Sequence, residues 1–144
     1  MADTPKKRQR LLMTFYITDM PGYALDITLL YQINIHRQRY YHLVFNMYKY
    51  VEYEDCYIHK DYLRLKRMVI TLVDVGKWQQ SQEDRLAEHI IDCIRTGTDE
   101  GKEVTFYRNK PHKYISKKIP AQWMLNQYCF YQGINRECLK ERII

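Results

Sequence analysis

The stretch LDITLLYQINI, running from Leu25 to Ile35, sets Leu25, Ile27, Leu29, Tyr31, Ile33 and Ile35 against Asp26, Thr28, Gln32 and Asn34. A period of two is that of an extended chain whose side chains point alternately to opposite faces, so this segment predicts a strand with a buried odd face. One apolar face needs a covering layer. Leu86, Ala87, Ile90, Ile91 and Ile94 recur at three- and four-residue spacing between Ser81 and Gly97, which predicts an amphipathic helix. Ser81 is expected to cap its first turn, Glu83 and Asp84 suit the positive end of the backbone dipole, and Gly97 suits a left-handed close. Helix across antiparallel sheet is the α+β solution.

Flanking segments extend the sheet. Leu11, Met13, Phe15 and Ile17 alternate as a first strand, and Asp19 to Gly22 carries the Pro-Gly chemistry of a turn. After the polar His36 to Arg39, a hairpin connection without the Gly or Asn that would set its type, a third strand puts Tyr41, Leu43, Phe45, Met47 and Val51 on one face. Its other face carries Tyr40, His42, Asn46, Tyr48, Tyr50 and Glu52. A fourth strand is expected from Tyr62 to Val75, where Arg64, Lys66 and Arg67 disturb the alternation and imply a bulge or an edge position, and Gly76 ends it. Val104 to Tyr107 reads as a short fifth strand. Pro120 opens a helix through Trp123, Met124, Tyr128 and Tyr131 to Gly133, and Asn135 is expected to cap a short terminal helix bearing Leu139 and Ile143. The expected fold is a mainly antiparallel four- to five-stranded sheet with one amphipathic helix on a face and two C-terminal helices.

With 144 residues and 46% hydrophobic content, one core is expected, over residues 11–144. Within residues 1–10, the run from Lys6 to Arg10 carries Lys6, Lys7, Arg8 and Arg10 and no apolar residue, which predicts a solvated basic arm. A short basic run after a proline is also what nuclear import receptors read, so the expected location is the nucleus and cytoplasm. No apolar run reaches the roughly 18 to 20 residues of a bilayer crossing, and no membrane association is expected. Cys56, Cys93, Cys129 and Cys138 lack paired short spacings, which suits free thiols in a reducing compartment.

Catalytic signatures are incomplete. Cys56 and His59 are the one close pair of metal-ligand type, whereas structural zinc sites usually show two tight pairs. Tyr114 and Lys117 have the spacing seen in nucleases that attack phosphodiesters through tyrosine, yet the His-x-His pair that would hold their metal is missing. Tyr114 is instead expected in a solvated loop. A glycine-rich phosphate loop and a Gly-x-Ser-x-Gly elbow are likewise missing. No catalytic residue, metal or cofactor is therefore expected.

What remains is a binding surface. A formal charge of +6 favours polyanionic partners, and fourteen tyrosines supply flat rings with polar tips. Arg37, Arg39, Tyr40, His42, Tyr48, Lys49 and Tyr50 share one hairpin, followed by Arg64, Lys66 and Arg67, with Lys110, Lys113, Lys117 and Lys118 as a second basic stretch. Rings can stack unpaired bases while cations follow phosphates, so the leading expectation is a non-enzymatic binder of single-stranded nucleic acid or RNA. The rival expectation is an adaptor that grips a host cellular protein through the same aromatic face, since tyrosine and arginine also dominate protein hot spots. Small size, a basic N-terminus and a tyrosine-rich sheet are the general style of viral accessory proteins, and an exposed edge strand would allow a homodimer. If Tyr48 and Tyr50 face solvent, replacing both with alanine weakens ligand binding in a titration and leaves the melting curve nearly unmoved.

Overall fold

The computed structural model describes residues 7–53, 56–101, 103–109 and 113–143, with the side chains of 50–53 and 56–65 outside that description. Four long strands, β1 (Lys7–Ile17), β2 (Tyr23–Ile33), β3 (Arg39–Tyr53) and β4 (Cys56–Val75), pair antiparallel in sequence order. Helix α1 (Gln80–Thr96) comes next, then a two-stranded hairpin of β5 (Val104–Tyr107) and β6 (Tyr114–Lys117), helix α2 (Ala121–Gln132), and a short β7 (Leu139–Glu141). β7 joins the free side of β1, so the main sheet runs β4-β3-β2-β1-β7. The antiparallel α+β architecture is thus the one expected.

Both helices contribute to a single core on one face of the sheet. Leu25, Ile27, Leu29 and Tyr31 of β2 and Tyr41, Leu43, Phe45 and Met47 of β3 meet Leu86, Ile90 and Ile94 of α1 and Leu125 and Tyr128 of α2. The Phe45 and Tyr128 rings stack at 5.3 Å and 19°, and the Tyr128 hydroxyl donates to the Lys66 carbonyl at 3.0 Å. Burying such rings removes roughly 150–250 Å² of surface each, so this contact anchors α2 to the sheet.

Several expectations are corrected. Lys7 to Arg10 are not part of a solvated arm: they form the start of β1, paired with Leu29 to Gln32, while Met1 to Lys6 lie outside the described residues. Alternation in β1 slips between Leu11 and Met13, where a bulge inserts Leu12. Before the bulge the even residues Arg8, Arg10 and Leu12 face the helices; after it the odd residues Met13, Phe15 and Ile17 do, which leaves Leu11 exposed. Ile35 is also exposed, because Asn34 opens the hairpin turn. Its side-chain oxygen accepts from the backbone amides of His36 and Gln38, each at 2.9 Å, and Arg37 sits in the left-handed region at φ 61°. An Asn does set this turn, just ahead of the polar run.

At the C-terminal side, Ser81 is not the cap of α1; Gln79 occupies that position without a side-chain bond. β4 starts at Cys56 and lies at the sheet edge with three register shifts against β3, matching the expected edge and bulge. Tyr114 belongs to strand β6 and not to a loop. Asn135 does cap, accepting from the Glu137 amide at 3.1 Å, but the chain continues as one 3-10 turn over Arg136–Cys138 and then β7, so the second C-terminal helix is replaced by a strand. Gly76 must be glycine: a Cβ there would come within 2.6 Å of the Tyr107 ring, whose residue's carbonyl accepts from the Gly76 amide at 2.7 Å.

The N-terminal half of β1 is held by charge. Glu83 is wholly buried, and its carboxylate accepts from Arg8 Nε at 3.1 Å to both oxygens, from Trp78 Nε1 at 3.2 Å, and lies 3.5 Å from Arg10 Nη1. Arg10 also donates to Asp84 at 2.6 Å, and the Arg8 guanidinium lies 4.6 Å from the Trp78 ring centre. A buried carboxylate without partners is costly, so β1 and α1 stabilise each other here. Arg8→Ala is expected to cost about 1–2 kcal/mol in urea unfolding, below the value of a fully dry pair because Arg8 is partly solvated. An Arg8→Ala/Glu83→Gln double variant recovers part of that loss, because the buried charge left with Arg10 and Trp78 alone is gone.

Candidate binding face

The helices cover one side of the sheet, and strand register organises the other. Opposite-facing residues fall into cross-strand rows: Lys7, Gln32, Tyr40 and Asp74; Gln9, Leu30, His42 and Thr71; Leu11, Thr28, Val44 and Val69; Thr14, Asp26, Asn46 and Arg67; Lys140, Tyr16, Ala24 and Tyr48. Leu30 and Val44 are buried at the floor of this face although no helix lies over them. Around them the sheet is hollowed in two places.

One hollow, of about 250 Å³, has Leu30, Val44 and Thr28 at its base, Gln9 and Asn46 at its sides, and Lys7 and Arg67 at opposite corners. The neighbouring hollow, about 280 Å³, is bounded by Gln32, Asn34, Tyr40, His42 and Thr71. Tyr40 and His42 lie on the same face with ring centres 5.9 Å apart, and His42 Nδ1 is 3.1 Å from the Thr71 hydroxyl. Burial lowers the His42 pKa, so its imidazole is neutral at neutral pH and offers a ring and one donor or acceptor without charge.

The expected tyrosine platform is reduced. Tyr48 is only 6% exposed, and its hydroxyl donates to Asp26 Oδ1 at 3.1 Å, beside the Thr14 hydroxyl at 2.9 Å. This ring is packing, not platform. Tyr50 and Arg64 lie outside the described side chains, and Lys110 outside the described residues.

The cations are also divided between the two sides. Arg39, opposite Ile33 and Val75, and Lys66, opposite Met47, belong to the helix side, as does Lys49, whose ammonium lies 5.4 Å from the Tyr23 ring centre. Arg37 is in the turn; Lys113, Lys117 and Lys118 are exposed on and beside the small hairpin. Of the predicted site, Tyr40, His42 and Arg67 therefore converge on the open face. Lys7, expected in an import signal, joins them, while Arg8 and Arg10 point the other way into Glu83 and Asp84. Gln9, Leu30, Val44 and Asn46 were not singled out from the sequence; only strand parity marks them.

Among the free thiols, Cys129 is buried and its pKa is pushed up to about 11, which leaves it protonated and a poor nucleophile. No family model matches the chain, and comparison with curated proteins and with solved structures finds no match either.

This face carries two acids among the described side chains: Asp74, opposite Tyr40 and paired with Arg108 at 3.0 Å, and Asp26. Burial raises the Asp26 pKa above the ordinary 3.8, and the hydroxyls of Thr14 and Tyr48 counter only part of that shift. The native state therefore holds this proton more tightly than the unfolded chain, and stability declines as pH rises from the unfolded value through the raised native one. Asp26→Asn is expected to flatten that segment in urea unfolding across the acid range. Identical pH profiles for the two proteins would exclude Asp26 as its source.

Proposed function

We propose that the open sheet face binds a single-stranded nucleic acid, with Lys7 and Arg67 on phosphates and the Tyr40 and His42 rings against a base. The carrying observation is that the two hollows are neighbours on one face, one edged by rings and amides and the other by cations. From a strand spacing of ~4.8 Å and a rise of ~3.3 Å per residue, the Cα atoms of Lys7 and Arg67 lie roughly 25 Å apart, three strands and three rows from each other. A lone phosphate does not span that diagonal; a chain of a few nucleotides does. Leu30 and Val44 give an apolar floor on which bases lose water, and stacking on a ring contributes ~1–3 kcal/mol per base.

This reading asks for no catalytic group. The alternative of a protein adaptor relied on the same rings, and corner cations flanking an apolar floor favour a polyanionic strand over an ordinary protein surface. Fluorescence anisotropy with RNA oligomers of increasing length tests it. Affinity is expected to rise from mononucleotide to a few nucleotides and to fall with salt, and Lys7→Ala or Arg67→Ala each lowers the salt slope by roughly 0.7. Absence of binding at about 50 mM salt overturns the proposal.

A further inference from the structure

Helix α2 reads AQWMLNQYCFYQ and contains no charged residue. Its inner side, Ala121, Leu125, Tyr128 and Cys129, is buried, whereas Trp123, Phe130 and Tyr131 are 57%, 78% and 69% exposed. At 3.6 residues per turn Trp123, Asn126, Gln127, Phe130 and Tyr131 form one outward stripe. Exposed aromatic rings on a charge-free surface have the make-up of an interface centre, where aromatics are enriched and charges depleted.

The order of residues along the stripe indicates its occupant. Reflected about the point between Asn126 and Gln127, Trp123 falls on Phe130, Asn126 on Gln127, and Gln122 on Tyr131. A two-fold contact requires this kind of self-complementarity, since every residue meets the partner's equivalent of its mirror position. Neutral amides carry both donors and an acceptor and can pair with their own kind; charged groups cannot. A net charge of +6 makes copies of this chain repel, and α2 offers an approach without like-charge contacts along the helix itself. Arg136, which donates to Gln122 at 3.4 Å, sits at the rim.

We propose that α2 is a homodimerisation helix: two copies pack antiparallel about an axis between Asn126 and Gln127, with Trp123 of each against Phe130 of the other. Rings of this size bury roughly 150–250 Å² each, so covering the exposed parts removes on the order of 400 Å² per copy. That is about half of the ~800 Å² per partner in a standard interface, so the dimer forms reversibly with concentration.

Sedimentation equilibrium of nuclease-treated full chain is expected to show a monomer–dimer equilibrium. Phe130→Asp should weaken association roughly thirtyfold or more, with an unchanged melting curve at concentrations where both proteins are monomeric, because the ring is exposed in the monomer. Should that variant fail to fold, Trp123→Gln serves in its place. Gln127→Cys is expected to form an inter-chain disulfide under mild oxidation that the parent chain does not form. A monomer at every concentration, as a stripe reserved for a different protein would give, overturns the proposal. So does a dimer that survives both substitutions and fails to cross-link, which would place the contact elsewhere, for example on the edge of β4.

Discussion

The arrangement depends on one buried carboxylate. Glu83, near the start of α1, is removed from water and surrounded by Arg8, Arg10 and the Trp78 indole. Because side chains of a strand alternate, engaging Arg8 and Arg10 on the helix side obliges Lys7, Gln9 and Leu11 to face the other way. The candidate binding face thus owes its first strand to an ion pair on the opposite surface. The bulge at Leu12 then reverses parity, so Met13, Phe15 and Ile17 can enter the core that the same strand's arginines could not fill.

Around that constraint the two faces acquire different chemistry. The helix side is dominated by aliphatic and aromatic packing, with Phe45 stacked on Tyr128 and Tyr31 edge-on to Tyr41. On the open side, polar side chains surround a small apolar floor, and Asp26 accepts from two hydroxyls, with the charge of Arg142 acting on it as well. Tyrosine serves both sides. Abundance of the residue therefore did not predict a ring platform: Tyr31, Tyr41, Tyr48 and Tyr128 are buried, while Tyr16, Tyr114 and Tyr131 are exposed.

Much of the architecture could be read from local patterns. The odd face of β2, the stripe of α1 and the closing Gly97 follow from periodicity and backbone preference, which act over a few residues. The misreadings share a cause in longer range. Lys7 to Arg10 look solvated when taken alone, since the adjoining sequence offers no cluster of acids to neutralise them; the partner of Arg8 stands 75 positions away in the chain. Likewise the C-terminal segment has a cap and an apolar period suited to a helix, and becomes β7 because the free side of β1 offers unpaired backbone groups at Phe15 to Ile17.

The candidate site was legible in part. Tyr40 and His42 could be assigned to an outward face because β3 keeps its period, whereas the face of Arg67 on the irregular β4 needed the register, and Tyr48 could not be recognised as buried without knowing that Asp26 and Thr14 lie beside it. Alternation and composition along the chain were enough to establish the class of fold, its covered face and its positive charge, because these come from short-range sterics and from counting. Which cations are used up in pairing, which rings remain exposed and where the hollows open depended on strand register and helix docking, because those juxtapose groups that are distant in sequence.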